Sequence, residues 1–501
     1  MEDEKQSIVL FPFMGQGHII PFLALALQIE QVNTNYAIYF VNTPLNLKKL
    51  RSSLPSYSSI RFLEIPFSSS SHGLPPDSEN FDTLPYHLIL RLYQASASLQ
   101  FKSSFKEAIQ ALTARCHGRP PLCIISDIFL GWTANVAKQL GVYHAIFSGT
   151  GGFGLACYVS LWLNLPHRNV VAHDFSLPDF KEGTVQLHKT QLPTNIAEAD
   201  GEDDWSIFQR ENLSAWVDSQ SLLFNTVEEF DQIGLSYFRR KFPGLHVRPI
   251  GPLVLRLKTR DRIGNTTGVI TRETILKWLD SKPSNSVLYV SFGSMNTISS
   301  SQMMQLAKAL EASQKNFIWV VRPPIEVDIN SEFNGKEWLP EGFEERNRAT
   351  GRGLVVQNWA PQVEILSHRA VSAFLSHCGW NSVMESLGHG VPLMGWPLAG
   401  EQFFNAKYLE EEMGVCVEVG RGKKSEVNSE DVVKKMEEVM EEKKEIMRRN
   451  VEKVKETMEK AWEQRESFNG SSAKSFHDFL SDAQQNHQQT SDAKEWREME
   501  R

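Results

Sequence analysis

What most limits the fold of this chain is that one pattern of short apolar runs and helical stretches begins twice. Ser7–Phe13 (SIVLFPF) reads as a buried strand and His18–Gln31 as the helix after it. Val287–Phe292 (VLYVSF) then opens a second series of the same kind, after Pro249-Ile250-Gly251-Pro252 and a polar, glycine-containing segment from 253 to 270. The 501 residues also exceed what one core can serve, since single cores stop growing at about 250–300 residues. In the first series Tyr36–Val41, Leu122–Ser126 and Tyr143–Phe147 read as further strands, with Gly131–Leu140 as a helix. In the second, the strands are Phe317–Val321, Leu354–Gln357, Val371–Leu375, Pro392–Trp396 and Val415–Val419. Strands separated by helices demand parallel pairing. The expected fold is therefore α/β: two doubly wound, Rossmann-like domains, residues 1–252 and 253–481, facing across a cleft. Ligands of such sheets bind beyond the carboxyl ends of the strands, which places the site in that cleft.

Three segments fall outside the alternation. Residues 151–215 read as irregular and rich in aromatics, either a pocket-forming insertion or surface loops. From Val432 to Trp462, apolar residues recur at spacings near three and four among Lys and Glu, which predicts an amphipathic surface helix or helix pair. The Gln-rich, charged stretch 482–501 reads as a disordered tail.

Composition removes several function classes. A net charge of -8 without any basic run gives no surface for nucleic acid. Cys116, Cys123, Cys157, Cys378 and Cys416 are odd in number, form no Cys-x-x-Cys pair and mostly sit in apolar stretches. They read as free thiols of a reducing compartment. The first residues are acidic where a signal peptide would be basic. No apolar run approaches the roughly 18 residues of a membrane span. A cytoplasmic protein, monomeric by default, is expected. Sequons at Asn212, Asn265 and Asn469 then carry no glycan.

The first candidate for chemistry is the loop Phe13-Met14-Gly15-Gln16-Gly17-His18. As a dinucleotide fingerprint it fails, because Ile20 stands where the third glycine belongs and the second strand ends at Asn42 rather than an acid. Its two glycines let a ligand approach the backbone, and a histidine follows at a helix N-terminus. There the helix dipole should keep the imidazole neutral, as a general base requires. Asp127, at the tip of Leu122–Ser126, is its candidate partner, needing a donor if buried and able to orient the ring. Read alone, His18 is a structural histidine and Asp127 a helix cap. No Gly-x-Ser-x-Gly elbow accompanies them, so hydrolase chemistry lacks support.

The second candidate is Trp359-Ala360-Pro361-Gln362 through His377-Cys378-Gly379-Trp380-Asn381-Ser382 and Glu385 to Glu401-Gln402. It offers an aromatic platform for a planar base in Trp359. Gly379 before a helix start with Asn381 and Ser382 forms a phosphate seat, and Glu385 can accept from a ribose diol. No second ligand pair stands at metal spacing from His377-Cys378, so no metal is expected.

Together these residues resemble the 44-residue signature box of the plant secondary-product UDP-glycosyltransferases, from Trp359 to Gln402. The Gly-x-Gly-His start, the Ile-Ser-Asp tip and Ser291-Phe292-Gly293-Ser294 extend the likeness over most of the chain, though not to its tail. The resemblance implies an inverting, metal-independent GT-B enzyme that moves glucose from UDP-glucose to a hydroxyl of a small apolar acceptor, with no cofactor beyond that co-substrate. It gives Trp359 and the Ala360 backbone to uracil, and Gln362 and Glu385 to ribose. His377, Gly379, Asn381, Ser382 and Ser294 go to the diphosphate, and Trp380, Glu401 and Gln402 to the sugar. Gly17 lies on the donor side, where the family often has a polar residue, and Glu401 stands where many members have Asp. His18 becomes the base and Asp127 its orienting acid. By position, Met14, Phe129, Phe153 and Phe403 line the acceptor pocket, with flavonoid, phenolic and triterpenoid acceptors all open. A silent nucleotide-sugar binder is the rival from another class; it would lack His18 or Asp127.

Overall fold

The computed structural model describes residues 5–499 except residues 33, 52–53, 55–57, 182–184, 257–269 and 466–467. Its centre is two parallel sheets. The first contains β1 (Gln6–Phe11), β2 (Tyr36–Asn42), β3 (Arg61–Glu64), β4 (Cys123–Asp127) and β5 (Tyr143–Ser148). After a small antiparallel hairpin, β6 (Asp174–Ser176) and β7 (Gln186–His188), come β8 (Ser221–Phe224) and β9 (His246–Pro249). Its strand order is β3-β2-β1-β4-β5-β8-β9. The second sheet contains β10 (Val287–Ser291), β11 (Asn316–Val321), β12 (Gly353–Gln357), β13 (Val371–Ser376), β14 (Leu393–Gly395) and β15 (Cys416–Glu418). Its order is β12-β11-β10-β13-β14-β15.

In both sheets the order reverses beside the first strand, and ligands of doubly wound sheets bind at such a switch point. In the first, Phe11 of β1 lies opposite Ser126 of β4. The loop after β1 and the residue ending β4 are therefore neighbours. In the second, Ser291 of β10 lies opposite Ser376 of β13, which juxtaposes the Phe292–Ser294 loop and His377. The central strands are buried on both faces, as helix-covered parallel strands must be.

The structure departs from the sequence reading in three places. β3, β8 and β9 were not expected; RFLE and HVRP carry charges because both are edge strands, half-solvated rather than continuously apolar, whereas SLLF of β8 is an interior strand buried throughout. Residues 151–215 are not irregular: Gly152–Asn164 is a helix buried from Gly152 to Trp162, and Asp204–Ala215 is another. A helix covered all round has no polar face and so no periodicity to read. Its start is capped by Asp231, whose carboxylate accepts from the Gly152 and Phe153 N–H groups at 2.6 and 2.9 Å. Burial pushes that carboxyl up to about 7.

The third departure is the tail. Ser471–Met499 is one helix, not a disordered end. Phe476, Phe479, Leu480 and Ala483 bury their side chains in the first domain's core, beside β1, β2 and β5. Gln484 Nε2 donates to the Tyr36 hydroxyl at 2.7 Å, and Asp482 accepts from His246 Nδ1 at 2.7 Å. The Gln-rich composition is the outer face of a docked helix. The chain thus crosses between the sheets twice, once after Pro249 and again near Trp462. Trp462 Nε1 donates to the Gly251 carbonyl at 2.9 Å and holds the crossings side by side. Most of the expected linker at 253–270, with Asn265, lies outside the described residues. The amphipathic segment is a helix pair, Ser429–Glu437 and Lys444–Lys460, joined through a wider π turn. Among the described residues no helix is long and apolar enough to cross a membrane.

Candidate functional site

On the first domain's side, the loop after β1 turns into the Gln16–Val32 helix. Gly15 is demanded by the Phe81 ring: a Cβ there would lie 2.2 Å from Phe81 Cε1. Asp82 caps the helix, its Oδ2 accepting from the Gln16 N–H at 2.9 Å. His18 projects from the first turn, and its Nδ1 stands 2.8 Å from Asp127 Oδ2. The other Asp127 oxygen accepts from the Phe129 N–H at 3.1 Å. A carboxylate only accepts, so Nδ1 carries the proton and Nε2 keeps its lone pair. Asp127 is fully buried while the His18 side chain keeps 19 % of its exposure, as a group with outside business would.

The helix dipole is not the strongest influence on His18. Burial opposes the charged ring, but Asp127, then Glu401 and Asp82, outweigh it and hold the imidazole above its ordinary value. The ring also sits in an aromatic collar. The Phe13, Phe81 and Phe129 centroids lie 5.7, 5.7 and 5.5 Å from it. Tyr93 stacks on Phe13 at 4.4 Å, and Trp205 and Phe208 pack edge-on to Tyr93.

Of the residues expected to line an acceptor pocket, Phe129 stands in this collar, and Met14 belongs to the same apolar cluster. Phe153 and Phe403 do not. Both are buried in the cluster where the Gly152–Asn164 and Gln402–Lys407 helices meet, and Phe153 stacks on Tyr408 at 4.6 Å. Both rings pack where the domains meet, and Phe153 also borders a separate cavity lined by Val185, Gln186, Lys407 and Tyr408. Phe81, Tyr93, Trp205 and Phe208 were missed, since nothing in their separate segments says that they converge.

Across the cleft, His377 follows β13 between Gly293 and Gly379. A Cβ on either would lie 2.8 or 2.4 Å from its Nε2, and Gly293 also has φ +84°. Burial pushes His377 down to about 4, so it offers the diphosphate expected beside it a neutral ring and not a positive charge. Its Nδ1 is buried without a hydrogen-bond partner among the described residues. The Trp380–Gly388 helix makes its first backbone bond from Val383 to Gly379, at 3.1 Å. The N–H groups of Trp380, Asn381 and Ser382 are therefore not used by the helix, an arrangement that can seat an anion.

Behind this seat Gln362 is the hub. Its Nε2 donates to Ser382 Oγ at 3.0 Å and to Glu385 Oε2 at 2.8 Å, and its Oε1 accepts from the Tyr289 hydroxyl at 3.3 Å. Tyr289 was not foreseen. Trp359 is half-buried at the rim beside buried Ala360, and Ser294 is exposed. Two sugar contacts need correction. The Trp380 indole N–H is spent on the Asn225 carbonyl at 2.8 Å, with its ring packed on Gly151, so no side-chain polar atom is left for a sugar. Gln402 Oε1 accepts from the Leu398 and Ala399 N–H groups, both at 3.0 Å, which leaves its Nε2 as a donor only. Burial raises the Glu401 carboxyl, next to His18. Asn381 Nδ2 spans the cleft to the Gly17 carbonyl at 3.0 Å. Among the described residues no cluster of three His, Cys, Asp or Glu is placed to hold a metal.

Two Rossmann-like domains closing on an imidazole–carboxylate pair and an opposed helix N-terminus define the class of GT-B enzymes. The model of the UDP-glucoronosyl and UDP-glucosyl transferases matches residues 271–456. UDP-glycosyltransferase 92A1 of Arabidopsis thaliana is 53% identical over 436 residues, 86% of this chain and 87% of that protein. Crocetin glucosyltransferase 3 of Crocus sativus is 45% identical over 430 residues, 84% of this chain and 89% of its own. The crystal structure of Glycyrrhiza uralensis UGT73P12 complexed with glycyrrhetinic acid 3-O-monoglucuronide superposes with a TM-score of 0.82 at 26% identity, covering 99% of each chain. The chain belongs to the plant UDP-glycosyltransferases of family 1, enzymes that move a sugar from a UDP donor to a small molecule.

Proposed function

We propose that the protein transfers glucose from UDP-glucose to a hydroxyl group of a small apolar acceptor, in one inverting, metal-free displacement. The observation that carries this reading is the 2.8 Å His18–Asp127 contact, set in an aromatic collar and facing the anion seat of the other domain. In this mechanism the acceptor packs against Phe13, Phe81 and Phe129. His18 Nε2 takes the hydroxyl proton while the oxygen attacks the anomeric carbon from the face opposite UDP. As that bond forms, the bond from the anomeric carbon to the phosphate oxygen breaks, and its electrons leave with UDP. Asp127 stabilises the imidazolium that results, a role the raised His18 pKa supports.

The donor is held by the other domain. Trp359 stacks on uracil and the Ala360 backbone meets its edge. Gln362 and Glu385, already joined, hold the ribose. The N–H groups following Gly379, with Asn381, Ser382, Ser294 and neutral His377, donate to the diphosphate, and Glu401 and Gln402 Nε2 reach the sugar. General-base help contributes about 10²–10⁴-fold, and donors aimed at the leaving charge about 10²–10³-fold. The reading places the enzyme in the cytoplasm, supported by five unpaired cysteines.

The test is to mix the protein with UDP-glucose and a panel of phenols and terpenoid alcohols. UDP release with a β-glucoside product is expected, and His18→Ala should abolish transfer while binding UDP normally. UDP binding without transfer to any acceptor would favour a silent sensor.

A further inference from the structure

The Gln16–Val32 helix contains a proline in its second turn, Pro21. In a regular helix the N–H of residue 21 would bond the carbonyl of residue 17. Proline has no N–H, and its ring forces that carbonyl outward. The turn before it is otherwise regular, with His18 and Ile19 both donating to the Gly15 carbonyl, at 3.0 and 2.9 Å. The displaced Gly17 carbonyl is the acceptor that Asn381 Nδ2 reaches from the other domain at 3.0 Å. Pro21 is itself buried, and Gly149 leaves room for it: a Cβ there would lie 2.8 Å from Pro21 Cγ. Gly17 meets nothing at its own Cβ position, so its backbone oxygen and not its small size is what the contact uses. The Asn381 Oδ1 atom is buried with no partner among the described residues.

We propose that Pro21 is a positioning residue: by withholding a helical donor it gives the Gly17 carbonyl to Asn381, and so fixes the helix of the base against the helix of the donor seat. Gly17 immediately precedes His18, and Asn381 stands in the first turn of the Trp380–Gly388 helix. One hydrogen bond therefore sets the spacing between the proton acceptor and the leaving group. The coupling rests on the assignment of His18 and the anion seat made above.

The test is a double-mutant cycle of Pro21→Ala and Asn381→Ala, read in kcat, KM for UDP-glucose and Tm with UDP bound. Pro21→Ala supplies the missing N–H, so the helix reclaims the carbonyl and the cleft loses its clamp. Its kcat should fall about 2–10-fold, the worth of one hydrogen bond, with KM for UDP-glucose unchanged and Tm not lowered. In the Asn381→Ala background Pro21→Ala should cost no further activity. There it should raise Tm more than in the wild type, because the new N–H no longer competes with Asn381. An unchanged kcat, or activity losses and Tm shifts that simply add, overturns the proposal. His18→Ala is run alongside. If it retains transfer, the base assignment fails on its own, and the Tm cycle still decides the coupling.

Discussion

Replacing Asp127 by asparagine keeps the size of the side chain and reverses what it offers to His18. One Asp127 oxygen accepts from the Phe129 N–H at 3.1 Å, and the other faces His18 Nδ1 at 2.8 Å. An asparagine satisfies the first contact only with its carbonyl, so its NH₂ must face the imidazole. The ring then turns Nδ1 into the acceptor and moves its proton to Nε2, the nitrogen that has to take the acceptor's proton. The same swap in a serine-protease triad lowers turnover by about 10⁴-fold for this reason. A loss of about 10³–10⁴-fold in kcat is expected here, near the ceiling of general-base catalysis. Asp127→Ala, which leaves the tautomer free, should lose less. With UDP affinity measured by calorimetry and transfer by UDP release, UDP binding should be unaffected in both. The pH profile supplies the sign. His18 lies above its ordinary 6.5 because of Asp127, so wild-type kcat/KM should rise with pH through a value above 6.5, and that limb should shift downward in Asp127→Ala. An Asp127→Asn enzyme within tenfold of wild type, or less damaged than Asp127→Ala, refutes the argument.

Other perturbations reach the donor side and the fold. Gly379→Ala should weaken UDP binding by at least about tenfold, because its Cβ would lie 2.4 Å from His377 Nε2; fluorescence titration with UDP checks it. Gln402→Ala should lower kcat/KM for UDP-glucose by about 5- to 150-fold, since it removes a half-buried donor and an anchor of the Leu398–Ala399 loop. UDP affinity should hold, and equal kcat/KM values for the mutant and wild type would refute it. EDTA should leave turnover unchanged; loss restored by a divalent ion would remove the metal-free step. Phe479→Ala, at a site fully buried in the first domain, should lower stability by about 3–5 kcal/mol in urea unfolding.

The His18–Asp127 contact and the grouping of the Trp359–Gln402 residues were legible because each is local or set by sheet order. His18 and Asp127 lie on loops that leave adjacent strands, and the Trp359–Gln402 segment carries its geometry in one stretch of chain. What was not legible is what three dimensions add. The aromatic collar draws on Phe81, Tyr93, Trp205 and Phe208, more than a hundred residues apart at its extremes, with no periodicity to link them. Phe153 and Phe403 are apolar at plausible positions, but only packing decides that they face each other's helices instead of the cleft. The Trp380 indole and the Gln402 carbonyl were free in the sequence and are engaged in the structure. The last helix was hidden by averaging: its apolar Phe476, Phe479, Leu480 and Ala483 fall at one-face spacing, but the glutamines after them dominate the composition.

That last helix also ties the two halves of the molecule together a second time. A single linker is a tether, which allows the bodies it joins to twist, slide or swing. Here the chain passes over and returns, and the Trp462–Gly251 bond lays the two passages next to each other. Two parallel cords fastened together act as the pin of a door: they permit opening about one axis and oppose torsion and shear. Removing the chain after residue 470 would undo this arrangement and at the same time strip Phe476, Phe479 and Leu480 from the first domain's core, so the second passage and that core are maintained by the same helix.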